Sequence, residues 1–278
     1  MTDIEGLSDA GRVDLLEQAF SSVEEVCAHL EPGDWDLQSD CPGWTVKDNL
    51  SHLTSYEAIM TGTEPASPVD LSNVSRITSE FQELNEREVV ARRSIAGPDV
   101  LAEFRDATAK RLADLRALDE AAWDGEVEAP PGRLNQRLYL AMRILDVFYH
   151  EQDIRRATGR PGHLDGAVAN FVFERLATKS LPVVVSRRGQ APDGSVVVFE
   201  VPAPGRTIAI QTSDSRGTLL SSGVPADSVL RFRMSVEGFF CVLGGRWTPV
   251  QARAHGGLEI HGDEVLARRI LEHIVVVP

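Results

Sequence analysis

The feature of the sequence that points most directly to chemistry is a stripe of polar residues on an apolar segment. Residues 138–149 are largely apolar, which is typical of a helix that is buried on most of its sides. The stripe consists of Arg143, Asp146, His150 and Asp153. Their spacings of three, four and three residues place them on one helical face. Burying a carboxylate and an imidazole costs several kcal/mol unless another group satisfies them.

Spacing alone leaves two interpretations of this stripe open. In the first, neighbouring residues of the stripe form a buried network of ion pairs, or the stripe faces solvent. In the second, Asp146 and His150 bind a metal ion, because residues at i and i+4 present their ligand atoms from adjacent turns. His52, in the helix predicted after "CPGW", would be the third ligand, since ligands on facing helices meet across the core of a bundle. Three protein ligands leave a catalytic zinc ion one open position.

The helices that position these residues are indicated by apolar spacings of three and four, punctuated by Pro and Gly. Long helices joined by loops predict an up-and-down bundle. The predicted helices span residues 13–30, 45–61, 71–93, 99–118 and 134–158.

The chain changes character after residue 163. A helix predicted over 165–180 precedes β-branched runs such as "SVVVFEV" and "TIAIQT", and a terminal helix follows them. This mixture is typical of an α+β domain. The sequence therefore predicts a two-domain α+β protein, with domains 1–163 and 164–278.

Composition and charge exclude several classes of partner. The 278 residues include 28 basic and 42 acidic side chains, a net charge of −14 that disfavours nucleic acid and anionic membranes. No apolar run reaches the ~20 residues of a membrane span, and the N-terminus lacks the apolar region of a signal peptide. Three scattered cysteines, Cys27, Cys41 and Cys241, suit a reducing compartment. We expect a cytoplasmic monomer or homodimer without nucleic-acid or membrane partners.

Three motifs together resemble a known family. "CPGWTVKDNLSHL" resembles an element of the DinB-like bundle superfamily in its mycothiol-dependent maleylpyruvate isomerase branch. "RILDVFYHEQDIRRATG" resembles the second signature of that branch. "FFCVLGGRW" and "GGLEIHGDEVLARRIL" are similar to its C-terminal domain. The resemblance implies an up-and-down DinB-like metal-binding bundle followed by a smaller, sterol-carrier-like α/β domain.

The resemblance also implies a metal centre. It assigns the metal ligands to His52, Asp146 and His150, with Asp146 standing where the family usually has Glu. The shorter carboxylate still supplies an oxygen ligand but shifts the ion or the helix slightly. Arg143 and Asp153 fit positions behind the ligands, where Asp153 would accept a hydrogen bond from the free ring nitrogen of a ligating histidine.

The implied activity depends on zinc and on the thiol of mycothiol. Zinc activates a thiol for attack on an electrophilic small molecule, either as S-transferase or thiol exchange, or as maleylpyruvate-type cis–trans isomerisation. Ligation by two nitrogens and one oxygen also suits other divalent metals. One alternative is a non-catalytic sensor or carrier built on the same bundle, and another is a degenerate member of the family that binds no metal.

Further residues are candidates for contacts with the cosubstrate or substrate. Arg246 could hold a substrate carboxylate from the C-terminal domain, with surface solvation as the alternative. Asn85 and Arg87 could reach the site from the third helix, although a solvated face fits them better. Cys41 could be a nucleophile, but a structural thiol is the favoured interpretation.

Overall fold

The computed structural model describes residues 6–72, 74, 77–129, 132–221, 223–225 and 227–277. Backbone contacts group these residues into two compact units, one ending at His163 and one beginning at Leu164. A helical first part and a sheet-containing second part confirm the predicted α+β fold class. No helix in the described ranges is both long and apolar enough to cross a membrane.

Four long helices, α1, α2, α4 and α6, build the first unit. Helix α1 packs on α4 and α6, and α2 packs on α3, α4 and α6. A short helix, α5, and an antiparallel hairpin of β1 and β2 precede α6. The elements are α1 (Asp9–Ala28), α2 (Val46–Met60), α3 (Glu80–Arg92), α4 (Gly97–Arg116), α5 (Glu120–Asp124), β1 (Glu126–Ala129), β2 (Gly132–Asn135) and α6 (Gln136–Ala157).

Two details of the predicted helices need correction. The third helix, predicted from residue 71, begins at Glu80, because Ser79 is its N-cap and accepts a hydrogen bond from the amide of Gln82. The stretch over 129–133 was predicted only as a breaker, but Ala129 ends β1, and Gly132 and Arg133 belong to β2; Pro130 and Pro131 lie outside the described residues. Strands of four residues with one buried side chain between them carry too little apolar pattern to be recognised.

Helix α2 is fixed at its start by a capping box. The Thr45 side chain accepts from the Asp48 amide, and the Asp48 carboxylate accepts from the Thr45 amide at 3.0 Å. Val46, Leu50 and Leu53 are fully buried, so the helix is anchored along one face. This anchoring fixes the rotation of α2 about its own axis and therefore the direction in which its polar residues point.

Helix α6 carries the polar stripe, and most of its residues are buried. Arg143, His150 and Asp153 are at most 7% exposed, whereas Leu138 and Met142 are 42% and 38% exposed. The helix is therefore not buried on every side as its apolar composition suggests. Three of the four stripe residues are therefore buried, whereas the side chain of Asp146 is 29% exposed.

The second unit is a five-stranded sheet with helices. The strand order is β5-β4-β3-β6-β7, with β3 and β6 parallel and the other pairs antiparallel. The predicted helix over 165–180 begins at Ala167 and continues in wider turns to Arg188. The elements are α7 (Ala167–Arg175), α8 (Leu181–Val183), β3 (Val196–Val201), β4 (Arg206–Ser213), β5 (Arg216–Leu219), β6 (Leu230–Met234), α9 (Val236–Leu243), α10 (Pro249–Ala254), β7 (Leu258–Gly262) and α11 (Glu264–Glu272).

Candidate metal centre

His52, Asp146 and His150 come together between α2 and α6. The two carboxylate oxygens of Asp146 lie 3.3 Å from His52 Nε2 and 3.6 Å from His150 Nε2. One ligand atom from each residue lies within 4.8 Å of the other two. Ligands at about 2.0 Å from a tetrahedral ion are about 3.3 Å apart, so these separations suit a divalent ion.

The charge states of these residues also suit a metal ion. Burial lowers the pKa of His52 to about 4, assisted by His150 and Arg143 and opposed by Asp146, so the imidazole is neutral at pH 7. Burial acts to raise the pKa of Asp146, but the charge of Arg143, together with the two histidines, holds it well below its usual range. The group therefore offers neutral imidazole and ionised carboxylate, which are the forms that bind metals.

The tautomer of His150 is set by groups behind its ring. Its Nδ1 lies 2.8 Å from Asn49 Oδ1 and 3.3 Å from Asp153 Oδ2, both hydrogen-bond acceptors. The Asn49 amide is oriented by its Nδ2, which donates to Ser39 Oγ and Thr45 O at 2.8 Å each. Nδ1 therefore holds the proton, and the lone pair of Nε2 faces Asp146. Asp153 lies where the sequence predicted an acceptor.

Asn49 was not recognised from the sequence, and its role can be tested. We expect Asn49→Ala to lower Zn²⁺ affinity by about 10- to 100-fold, because the variant loses an acceptor that holds a ligating histidine. Asn49→Asp keeps an acceptor and is the matched control. Competition with a chromophoric chelator measures both affinities, and equal values for wild type and Asn49→Ala would contradict this role.

The ring of His52 is held by aromatic contacts rather than by hydrogen bonds to Nδ1. Trp44 and Tyr56 lie with ring centroids 5.1 and 5.0 Å from it. Within the described ranges, His52 Nδ1 is buried without a hydrogen-bond partner. Trp44 also packs on His150 at 5.7 Å, so this tryptophan covers both imidazoles. Its Nε1 donates to Glu86 on α3 at 2.9 Å.

A buried ion-pair network adjoins the centre. Arg143 donates to Asp146 Oδ2 at 2.6 Å and to Glu57 Oε1 at 2.8 and 3.0 Å. Arg111 Nε lies 3.5 Å from Glu57 Oε2. The guanidinium of Arg143 also covers the Tyr56 ring at 4.4 Å from its centroid. The two interpretations of the stripe, an ion-pair network and a metal site, are thus compatible. Arg143 donates to Asp146 Oδ2, whereas Asp146 Oδ1 faces His150.

Three further candidate residues lie on elements other than α2 and α6. Asn85 and Arg87 lie half-buried on α3, and the described residues include no hydrogen-bond partner for Asn85 Oδ1 or Arg87 Nε. Arg246 lies in the second unit and donates to the Gly244 carbonyl at 2.7 Å. Their contacts with a ligand stay predictions. Cys41, by contrast, lies beside the centre, 3.9 Å from His150 Nδ1.

The burial of His52 predicts the pH dependence of stability for the metal-free protein. The unfolded chain takes up a proton at His52 near pH 6.5, whereas the folded protein does so only near pH 4. Between these values the unfolded state binds more protons, so the free energy of unfolding falls as pH falls. We expect His52 to account for a loss of about 3 kcal/mol across this window.

Denaturant unfolding with a chelator present, at several pH values in that window, measures this effect. His52→Gln cannot titrate, and we expect a shallower pH dependence for it than for wild type. Parallel curves for the two proteins would show that His52 is not held neutral by burial.

Comparisons with known proteins identify a matching family and similar solved structures. Residues 16–155 match the family described as mycothiol maleylpyruvate isomerase N-terminal domain. No curated protein matches the chain. The crystal structure of a mycothiol-dependent maleylpyruvate isomerase is similar over 94% of this chain and 95% of that chain, with a TM-score of 0.62 and 16% identity.

Two further solved structures have lower similarity. A histidine-to-alanine mutant of a mycothiol-dependent maleylpyruvate isomerase covers 94% of this chain and 95% of its own, with a TM-score of 0.57 and 17% identity. Sterol carrier protein 2 like 2 from Aedes aegypti covers 37% of this chain and 94% of its own, with a TM-score of 0.27 and 17% identity. The isomerase structures show that the two-part fold is shared.

Proposed function

The chain belongs to the family of mycothiol maleylpyruvate isomerase N-terminal domains, and from this membership we propose that it is a mycothiol-dependent metalloenzyme. The observation that carries the proposal is the convergence of His52, Asp146 and His150, with His52 neutral and Asp146 ionised at pH 7. A divalent ion such as zinc, held by one carboxylate and two neutral imidazoles, retains positive charge and favours the thiolate form of a thiol at neutral pH.

The protein residues prepare the centre for this chemistry. Asn49 and Asp153 hold the proton of His150 on Nδ1 and leave Nε2 free. Arg143 keeps Asp146 ionised and fixes its orientation, and Glu57 in turn fixes Arg143. Trp44 packs against both imidazole rings and supports their positions.

The reaction that we propose is thiol addition to an electrophilic small molecule. In a cis–trans isomerisation of the maleylpyruvate type, the thiolate adds to one carbon of the double bond and leaves a single bond that rotates. Expulsion of the thiolate then restores the double bond in the trans form, so no oxidant or reductant is needed. In an S-transferase, the adduct takes up a proton and is released.

Three assignments accompany this proposal. The two compact units would correspond to a DinB-like domain, 1–163, and a sterol-carrier-like domain, 164–278. Arg246 would hold a carboxylate of the acceptor, and Asn85 and Arg87 would contact the thiol or its acceptor from α3. A thiol cosubstrate of this kind would be met in the reducing cytoplasm.

The test joins metal content with thiol binding. Mass spectrometry is expected to find about one zinc per wild-type chain and little in His52→Ala or Asp146→Ala. Calorimetry is expected to detect mycothiol binding to wild type only. His29→Ala, at an exposed histidine on the end of α1, is the matched control and is expected to behave as wild type.

Catalysis is measured separately. Conversion of maleylpyruvate in the presence of mycothiol would establish the isomerase, and a stable mycothiol adduct of another electrophile would establish the transferase. A folded wild type that binds neither metal nor mycothiol would refute the proposed function. Metal and thiol binding without turnover of any electrophile would favour the sensor or carrier.

A further inference from the structure

A second group of possible metal ligands lies on the opposite side of the His150 ring. Cys41 Sγ, His150 Nδ1 and Asp153 Oδ2 form a triangle. Its sides are 3.1 Å from Cys41 to Asp153, 3.3 Å from His150 to Asp153 and 3.9 Å from Cys41 to His150. An ion about 2.0–2.3 Å from each atom, the usual range for zinc with oxygen, nitrogen and sulfur, fits these separations.

This triangle holds two protons, and a divalent cation could take their place. The Cys41 thiol donates to Asp153 Oδ2, and His150 Nδ1–H faces Asn49 Oδ1 and Asp153 Oδ2. When an ion already holds Nε2, a divalent cation that displaces both protons makes His150 a bridging imidazolate and leaves the total charge of the group unchanged. The surrounding charges therefore need no new partner when the ion binds.

We propose that Cys41, His150 and Asp153 form a second metal site, for a thiophilic divalent cation such as Cd²⁺ or excess Zn²⁺. Binding forms one bond each from the cation to sulfur, nitrogen and oxygen, and releases the Cys41 thiol proton to solvent. Where an ion already holds His150 Nε2, the Nδ1 proton is released as well; where Nε2 is free, that proton moves from Nδ1 to Nε2. No electron is transferred. The thiolate distinguishes this site from the group of His52, Asp146 and His150, which has no sulfur ligand.

The surroundings of the triangle favour binding. Asp153 is fully buried, and Arg156 holds its other oxygen at 2.6 Å, so the oxygen facing Cys41 is fixed in place. Of the three cysteines, Cys27 and Cys241 are buried, whereas Cys41 is partly exposed. Cys41 is therefore the thiol that an incoming ion can reach.

Sharing of His150 links the two sites. An ion on Nδ1 displaces the proton that Asn49 accepts, and the imidazole then lies between two ligand groups. Occupation of the Cys41 site changes the electron density at His150 Nε2 and therefore the metal affinity of the first centre. The second site would thus make the protein sensitive to thiophilic metals.

Titration with Cd²⁺ tests the site through the ultraviolet absorption of cadmium thiolate. In wild type with zinc at the first centre, we expect this absorption to saturate when one Cd²⁺ is bound at the Cys41 site, with about two protons released for that ion. Cys41→Ser and Cys41→Ala are expected to lack it and to bind one ion fewer. Cys27→Ala removes a buried thiol and is the matched control, expected to keep the absorption.

Asp146→Ala separates this inference from the proposed function. If both are correct, that variant loses the first ion and keeps the cadmium thiolate absorption. Retention of the absorption in a protein that never binds the first ion would leave the second site standing without the first. Absorption that persists in both folded Cys41 variants, or that is absent from wild type, would overturn the second site.

Discussion

Replacing Asp146 by asparagine is expected to lower Zn²⁺ affinity by at least about 100-fold, more than the loss of a group behind a ligand. The amide has almost the same shape but no charge, and it would present either a neutral oxygen or an NH₂ group to the ion. Asp146 is also the residue that faces both histidines, at 3.3 and 3.6 Å. The Asp146→Asn substitution therefore removes a ligand and the only negative charge among the three candidate ligands.

Asp146→Glu is the informative companion to this variant. It restores the longer carboxylate that the family resemblance leads us to expect at this position, and we expect it to keep zinc affinity within about tenfold of wild type. Asp114→Asn, at a 47% exposed carboxylate on α4, is the control for loss of charge alone. Chelator competition on all four proteins measures the series, and tight zinc binding by Asp146→Asn would exclude Asp146 as a ligand.

The convergence of the three candidate ligands could be predicted because each belongs to a regular pattern. The spacing of Asp146 and His150 requires only that α6 be a helix, and α6 runs from Gln136 to Ala157. His52 required a second helix that faces the first, which the break at "CPGW" and the bundle architecture supply. Long amphipathic segments carry such information locally.

The residues that support the candidate ligands, Asn49 and Glu57, could not be predicted, because no local sequence pattern identifies them. Asn49 and Glu57 lie on α2, which has buried residues around most of its circumference, so polar residues there do not follow a periodic pattern. Their partners lie 101 and 86 residues away in the sequence. Only the packing of α2 against α6 shows that one orients His150 and the other neutralises Arg143.

Strands β5 and β7 were not predicted from the sequence, for a similar reason. β5 and β7 are the edge strands of the sheet, and each has only one neighbour. Edge strands are short and partly polar: four of the five β7 residues are exposed or half-buried. The central strand β3 is buried at five of six positions and was evident as "SVVVFEV".

Glu57→Gln is expected to lower the free energy of unfolding by about 3–5 kcal/mol, the usual cost of breaking a buried ion pair from one side. Glu57 is fully buried and shared by two guanidinium groups, Arg143 at 2.8 Å and Arg111 at 3.5 Å. The amide keeps the size of the side chain and one acceptor, so the loss reports charge rather than packing. Urea unfolding of metal-free protein at pH 7 measures it.

The network predicts how this loss can be recovered. Glu57→Gln combined with Arg111→Met removes one buried charge of each sign, and we expect the double variant to regain part of the stability that Glu57→Gln loses. Asp114→Asn breaks an exposed pair with Lys110 on α4 and is expected to change stability by no more than about 0.5 kcal/mol. If Glu57→Gln were as mild as that control, Glu57 would not be the counter-charge of Arg143. The orientation of Asp146 would then depend on Arg143 without a carboxylate behind it.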